Sequence, residues 1–239
     1  GNQKNWRSFA RRFVSQNQDW ELVLVDHRNH GKSIQAHRPH TVRAAAEDLV
    51  RLATQVGTPD AVIGHSFGGK VALVFSTLCE LEQCWVLDSI PTLQSKDARE
   101  ELRRVFQALE DAGAPFTSRD EMPLVLRAQG VAESLVLWMT TNLTRTELGF
   151  DWSFHLDHCR DMIEDYFNLD ATTILRTATT PIHLVHAERN AQWTPALVNQ
   201  IEAIHPSVHT HLLEDADHWV HVDNPNGLHA IMHPYFTRT

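Results

Sequence analysis

Short runs of apolar residues alternate along the chain with segments in which apolar residues recur every three or four positions. The first pattern is typical of buried strands and the second of amphipathic helices. Their alternation predicts an α/β fold, a mostly parallel, doubly wound sheet with helices on both faces. The predicted strands are Glu21–Asp26, Ala61–Ile63, Cys84–Leu87, Ile182–His186 and Thr210–Leu213.

The helices between these strands are predicted from their apolar faces and their end signals. In one of them, over residues 42–56, Thr41 is a typical N-cap and Gly57 a typical stop. Pro234 is expected to end or kink the last helix. The other helices predicted in this part of the chain are Lys4–Ser15, Gly68–Leu81, Pro195–His205 and Gly227–His233.

From about residue 92 to residue 178 the strand pattern is replaced by helical periodicity. Leu102, Val105, Phe106 and Leu109 form one apolar stripe, and an apolar stripe of this kind packs against a core. Further helical patterns cover Leu124–Gln129, Ala132–Thr141 and Leu156–Phe167. We therefore expect a single domain over residues 1–239, with a helical insertion at about 92–178 that lies over the strand ends as a lid.

Residues 64–69 read Gly-His-Ser-Phe-Gly-Gly and directly follow an apolar run. This G-x-S-x-G pattern, followed by a helix-forming run, predicts a sharp strand-to-helix turn that exposes the Ser66 hydroxyl as a nucleophile. The Phe67 backbone N–H would then donate to a developing oxyanion. A serine in an ordinary glycine-rich turn is the alternative, and the strand–turn–helix context favours the nucleophile.

An activated serine needs a base, and the base needs an acid that orients it. His218 follows the last predicted strand, which is the place expected for the base in this architecture. The loop after Ile182–His186 usually carries the acid, but here it has Glu188 and no Asp. Asp88, at the end of the preceding strand, is the favoured acid because an unpaired buried carboxylate is costly; Asp157 and Glu188 remain alternatives.

Composition narrows the functional classes. The formal net charge of −9 argues against a nucleic-acid or anionic-membrane surface, and no apolar stretch has the length of a membrane span. Among the sixteen histidines, the pairs His27/His30 and His218/His221 are spaced i, i+3, and His209/His211 are spaced i, i+2. No cysteine or carboxylate pattern completes a known metal site, so neither a metal nor a cofactor is expected. Scattered, odd-numbered cysteines favour a reducing, intracellular compartment, either the cytoplasm or an organelle such as a mitochondrion or plastid.

With these motifs, the chain resembles the α/β-hydrolase superfamily. Within it, the chain is similar to the small esterases grouped with alpha/beta-hydrolase domain-containing protein eleven and with related bacterial acyl esterases. The similarity spans nearly the whole chain, from Asn-Trp-Arg-Ser at residues 5–8 to His-Trp-Val-His at 218–221. Between these lie the matching segments 26–33 (Asp-His-Arg-Asn-His-Gly-Lys-Ser), 64–69, 88–91 (Asp-Ser-Ile-Pro) and 141–143 (Thr-Asn-Leu).

The resemblance implies Ser66 as nucleophile, His218 as base and Asp88 as acid, with Asp157 in a second motif sometimes given the acid role. Family members carry a His-Gly segment before the Asn-Trp-Arg stretch, which holds the second oxyanion donor, so we expect such a segment upstream of Gly1. They also have Gly where this chain has Asp217, and we expect an unusual backbone angle there.

The expected function is a serine hydrolase that cleaves carboxylic esters or thioesters of small molecules through an acyl-enzyme. A non-catalytic hydrolase-like binding protein is one alternative. Another reaction of the same fold, such as perhydrolysis or C–C bond hydrolysis, is a second. The candidates for an acyl pocket are aromatic or apolar residues of the insertion, and packing within the lid core is their other interpretation: Trp138, Met139, Phe150, Trp152 and Phe154.

Overall fold

The computed structural model describes residues 1–237. In this part of the chain, a four-stranded parallel sheet forms the centre of the fold, with the strand order β1-β2-β5-β6. Because all four strands run the same way, their carboxyl ends meet at one edge, where ligands bind in open α/β sheets. The strands are β1 Ala61–His65, β2 Gln83–Leu87, β5 Ile182–Ala187 and β6 Val208–Leu213, and a separate antiparallel hairpin contains β3 Leu143–Thr146 and β4 Gly149–Trp152.

Helices flank the sheet and recur between β2 and β5. They are α1 Arg7–Gln16, α2 Val42–Val56, α3 Phe67–Phe75, α4 Lys96–Asp111, α5 Glu121–Ala128, α6 Glu133–Thr140, α7 Leu156–Asn168, α8 Thr172–Arg176, α9 Pro195–Glu202, α10 Val220–Asp223 and α11 Pro225–Met232. Short 3-10 turns cover Gln3–Trp6, Gly31–Ser33 and His233–Tyr235. No helix within residues 1–237 has the combination of length and apolar character that crossing a bilayer requires.

Side chains of β2 alternate between two cores, as the period of a strand requires. Trp85 and Leu87 point to one face of the sheet and pack with apolar residues of α1, α10 and α11. Cys84 and Val86 point to the other face and pack with apolar residues of α3, α8 and α9. The alternation confirms the doubly wound α/β arrangement with helices on both faces.

The segment between β2 and β5 is largely helical, as predicted, and contains α4 to α8. It also contains the β3–β4 hairpin, which was not predicted from the sequence. Phe116 and Phe150 form an antiparallel bridge beside the hairpin. The insertion has its own apolar core, in which Met122, Leu126 and Val136 are fully buried.

Two element predictions were wrong. Residues 21–26 are not a strand, because within residues 1–237 no backbone hydrogen bond pairs them with a neighbouring strand. Helix α3 ends at Phe75 rather than Leu81. Just beyond its end, the hydroxyls of Ser76 and Thr77 donate to the carbonyls of Leu73 and Val74 at 2.8 and 2.7 Å, a competition with the helical ladder that is common for these residues.

Candidate active site

The turn between β1 and α3 places Ser66 at the carboxyl edge of the sheet. Ser66 has φ 53° and ψ −120°, a conformation that is rare for a residue with a side chain. Its N–H donates to the Leu87 carbonyl at 3.0 Å. Gly64 permits the turn, since a Cβ at this position would lie 1.9 Å from the Gly68 carbonyl oxygen. The strained, glycine-enclosed serine has the local geometry expected of a nucleophile elbow.

Asp88 and His218 meet beside this turn. His218 Nδ1 donates to Asp88 Oδ2 at 2.7 Å, within the range expected for an acid that orients a base. The same oxygen accepts from Asn190 Nδ2 at 2.8 Å, and Oδ1 accepts from the Ala187 N–H at 3.2 Å. The carboxylate is fully buried, so these three donors offset the desolvation of its charge.

The bond to Nδ1 fixes the tautomer of His218. A carboxylate only accepts, so the proton of the neutral imidazole lies on Nδ1 and Nε2 is left as an acceptor for a serine proton. Within residues 1–237, no hydrogen bond joins Ser66 Oγ to His218. Such bonds are often long before substrate binds.

His65, next to Ser66, holds the loop that carries His218. Its Nε2–H donates to the backbone carbonyl of His218 at 2.6 Å, and its ring lies 4.7 Å from the His218 ring, centroid to centroid. Burial, followed by the proximity of His218, lowers the pKa of His65 well below its usual value. A neutral His65, the residue before the predicted nucleophile Ser66, is therefore bonded to the loop of the predicted base.

The structure places the two alternative acids away from His218. Asp157 lies in the first turn of α7, with its side chain 73% exposed and its nearest cation, Arg160, at 3.8 Å. Glu188 Oε2 accepts from the Asp215 N–H at 2.9 Å, a contact that fixes the loop after β6. Of the three candidate acids, only Asp88 contacts the imidazole.

The loop before His218 corrects one expectation. Positive φ occurs at Asp215, at 53°, and Asp217 does not have it. Asp217 instead accepts from the His218 N–H at 2.8 Å, and its own N–H donates to Asp223 at 3.0 Å. The side chain therefore stabilises the turn, and the unusual backbone angle lies two residues earlier.

Phe67 is the first residue of α3. The first N–H groups of a helix have no intrahelical acceptor, and the positive end of the helix dipole lies there. The Phe67 N–H can therefore donate to an oxygen that gains negative charge beside Ser66.

The five apolar candidates of the insertion belong to one cluster, which contains Trp138, Met139, Phe150, Trp152 and Phe154. Met139, Trp152 and Phe154 are buried in it, whereas Trp138 and Phe150 are partly buried. The Trp138 ring stacks on Trp219 at 5.2 Å, next to the predicted base. The insertion thus reaches the loop of His218 through this tryptophan.

Two residues enter the site that the sequence pattern did not mark as functional, His65 and Asn190. His65 lies inside the G-x-S-x-G motif, and its position directly before the serine was the one feature of the sequence that could have suggested a role in the site. Asn190 stands in the loop where an acid is usual, so its position was noticeable, but its contact with Asp88 joins residues 102 positions apart. Contacts of that separation depend on the assembled sheet.

The chain is similar in sequence to known hydrolases. The chain is 27% identical to the sn-1-specific diacylglycerol lipase ABHD11 of Danio rerio, over 94% of this chain and 72% of that protein. It is 22% identical to esterase YbfF of Escherichia coli (strain K12), over 88% of this chain and 80% of that protein. These relatives support the expectation that the chain is a hydrolase.

Solved structures share the fold. A marine microorganism esterase superposes with a TM-score of 0.81 at 22% identity, covering 99% of this chain and 91% of that one. The thioesterase domain from the curacin biosynthetic pathway gives a TM-score of 0.69 at 18% identity, covering 98% and 87%. A sequence profile described as the alpha/beta hydrolase family matches residues 2–231. The chain therefore belongs to the alpha/beta hydrolase family.

Proposed function

We propose that this protein is a serine hydrolase that cleaves carboxylic esters or thioesters through an acyl-enzyme. The observation that supports it most directly is the 2.7 Å bond between Asp88 and His218 beside the strained Ser66 turn. An oriented imidazole next to a serine at a helix N-terminus is the arrangement that acyl transfer requires.

In the proposed reaction, Ser66 Oγ attacks the substrate carbonyl carbon while His218 Nε2 takes the hydroxyl proton. Asp88 stabilises the imidazolium, and the Phe67 N–H donates to the oxyanion. Collapse of the intermediate breaks the bond to the alcohol or thiol, which leaves with the proton from His218. Water then attacks the acyl-enzyme while His218 takes its proton. The bond between the acyl carbon and Ser66 Oγ breaks, the carboxylic acid leaves, and His218 returns the proton to Ser66 Oγ.

We further propose that the insertion at about 92–178 acts as a lid and that its aromatic cluster contributes the acyl pocket. The stacking of Trp138 on Trp219 supports this, since it places an insertion side chain next to His218. A diacylglycerol is one candidate substrate, by similarity to the ABHD11 lipases. The panel for assay therefore contains short p-nitrophenyl esters, a diacylglycerol and an acyl thioester.

Ser66→Ala tests the assignment. The variant should lose hydrolysis of every substrate that the parent cleaves, because it lacks the hydroxyl proposed to attack the carbonyl, and it should lose covalent labelling by a fluorophosphonate. Ser76→Ala, at the far end of α3, is the matched control and should keep both. Labelling of the Ser66→Ala protein at the parent rate would contradict the proposal, and a folded parent that neither cleaves nor labels would favour a binding protein.

A further inference from the structure

His27 lies beside the first turn of α3 without a role in the chemistry described so far. Its ring meets the Phe67 ring edge-on, with centroids 5.7 Å apart at 89°. Its Nε2 lies 3.4 Å from the point where a side-chain carbon would stand at Gly68. The imidazole therefore occupies the space next to the two residues that open the helix behind Ser66.

The ring nitrogens of His27 make no hydrogen bond within residues 1–237. Other histidines nearby do: His65 donates to the His218 carbonyl, and His30 Nδ1 lies 3.0 Å from the Arg28 carbonyl. Burial is the main cause that lowers the pKa of His27 to about 3, so the ring is neutral around pH 7. A neutral imidazole has one N–H to donate and adds no positive charge beside the helix N-terminus.

The backbone around His27 is fixed on both sides. Asp26 accepts from the backbone N–H groups of Gln3 and Lys32 at 2.7 and 3.0 Å. Arg28 forms a two-point ion pair with Asp48, with nitrogen–oxygen distances of 2.6 and 3.0 Å. A donor held between two such anchors needs little reorganisation when charge develops near it.

We propose that His27 is a catalytic residue whose Nε2–H donates to the substrate carbonyl oxygen as it becomes an oxyanion, together with the Phe67 N–H. This assignment rests on the proposed serine hydrolase function. It gives the oxyanion a side-chain donor from the loop after residue 26 as well as the backbone donor of α3. The proton of the neutral ring then lies on Nε2, which faces the helix start.

The test compares His27→Leu, which removes the donor, with His27→Gln, which keeps a side-chain N–H. His37→Leu, an exposed histidine of the same segment, is the matched control. We expect His27→Leu to lower kcat roughly 10²–10³-fold, the usual effect of losing one oxyanion donor, with KM nearly unchanged. His27→Gln should retain more activity than His27→Leu, and His37→Leu should match the parent.

The affinity for a trifluoromethyl ketone distinguishes a role of His27 as oxyanion donor from a purely structural role. Its adduct with Ser66 carries the negative oxygen, so His27→Leu should weaken its binding by the same factor as kcat/KM. An unchanged kcat in folded His27→Leu would overturn the proposal, and so would a lower kcat with parent-like affinity for the ketone. Failure of the hydrolase function itself would instead appear as an inactive parent or an active Ser66→Ala protein.

Discussion

Replacing Asp88 with Asn keeps the shape of the side chain and removes its charge. The contacts of this position determine how the amide would turn. Two donors, from His218 and Asn190, converge on Oδ2, whereas one donor, the Ala187 N–H, meets Oδ1. If the amide oxygen takes the Oδ2 position, the amide NH2 group faces one N–H donor, that of Ala187. In the reversed orientation, the NH2 group faces two donors, those of His218 and Asn190. We therefore expect the oxygen to remain toward His218.

This orientation of the amide determines how much activity Asp88→Asn should lose. The tautomer of His218 is preserved, so the loss is the attraction between the carboxylate and the imidazolium formed during attack. At a charge separation of about 4 Å and an effective dielectric constant of about 20, that attraction is about 4 kcal/mol. We expect kcat/KM to fall about 10³-fold, less than the roughly 10⁴-fold loss seen when the same substitution imposes the wrong tautomer in a serine protease.

The assay measures kcat/KM for one p-nitrophenyl ester at a pH where the parent is fully active, with thermal unfolding as a check of folding. Asp157→Asn and Glu188→Gln are matched controls, since each removes one carboxylate charge without touching His218. Both should remain close to the parent. A loss of less than tenfold in Asp88→Asn, or a larger loss in Asp157→Asn than in Asp88→Asn, would refute the reasoning.

Two further predictions concern residues that support the site, Gly64 in the turn before Ser66 and His221 after the predicted base. Gly64→Ala should abolish hydrolysis and lower the unfolding temperature, because the added methyl would stand 1.9 Å from the Gly68 carbonyl oxygen; full activity in this variant would mean that the turn is not needed. Buried His221 stacks on Trp6 at 4.3 Å, and desolvation, followed by His218, lowers its pKa from 6.5 to about 4. The unfolded chain therefore binds a proton at His221 more readily than the folded chain does. As the pH falls from about 6.5 to about 4, this difference lowers the free energy of unfolding by about 3 kcal/mol. Over this pH range, the unfolding free energy of His221→Phe should decrease by about 3 kcal/mol less than that of the parent. Equal decreases in the two proteins, measured by denaturation at each pH, would contradict the assignment.

The sequence by itself determined the parts of the fold that depend on local order. The apolar run at 61–63, the glycines around Ser66 and the helix-forming residues after them together predict a strand, a tight turn and a helix, because each signal acts within a few residues. The positions of Asp88 and His218 after predicted strands were informative for a similar reason. Strands of a parallel sheet end at one edge, so residues that follow them are brought together.

Only the tertiary structure decided which partners meet. Residues 21–26 look like a strand in sequence but pair with no strand within residues 1–237, because pairing depends on where a segment lies relative to a sheet edge, and its own pattern of side chains does not specify that. The proximity of His218 to Asp88, the acid that the sequence favoured over Asp157 and Glu188, requires distant segments to pack together. The same holds for the support from Asn190 and for the approach of His27 to Gly68. Packing of the whole sheet and its helices sets those contacts, whereas the sequence signals act over a few positions. The sequence therefore suggested Ser66, Asp88 and His218 as site residues, but it did not indicate the support from Asn190 or the approach of His27.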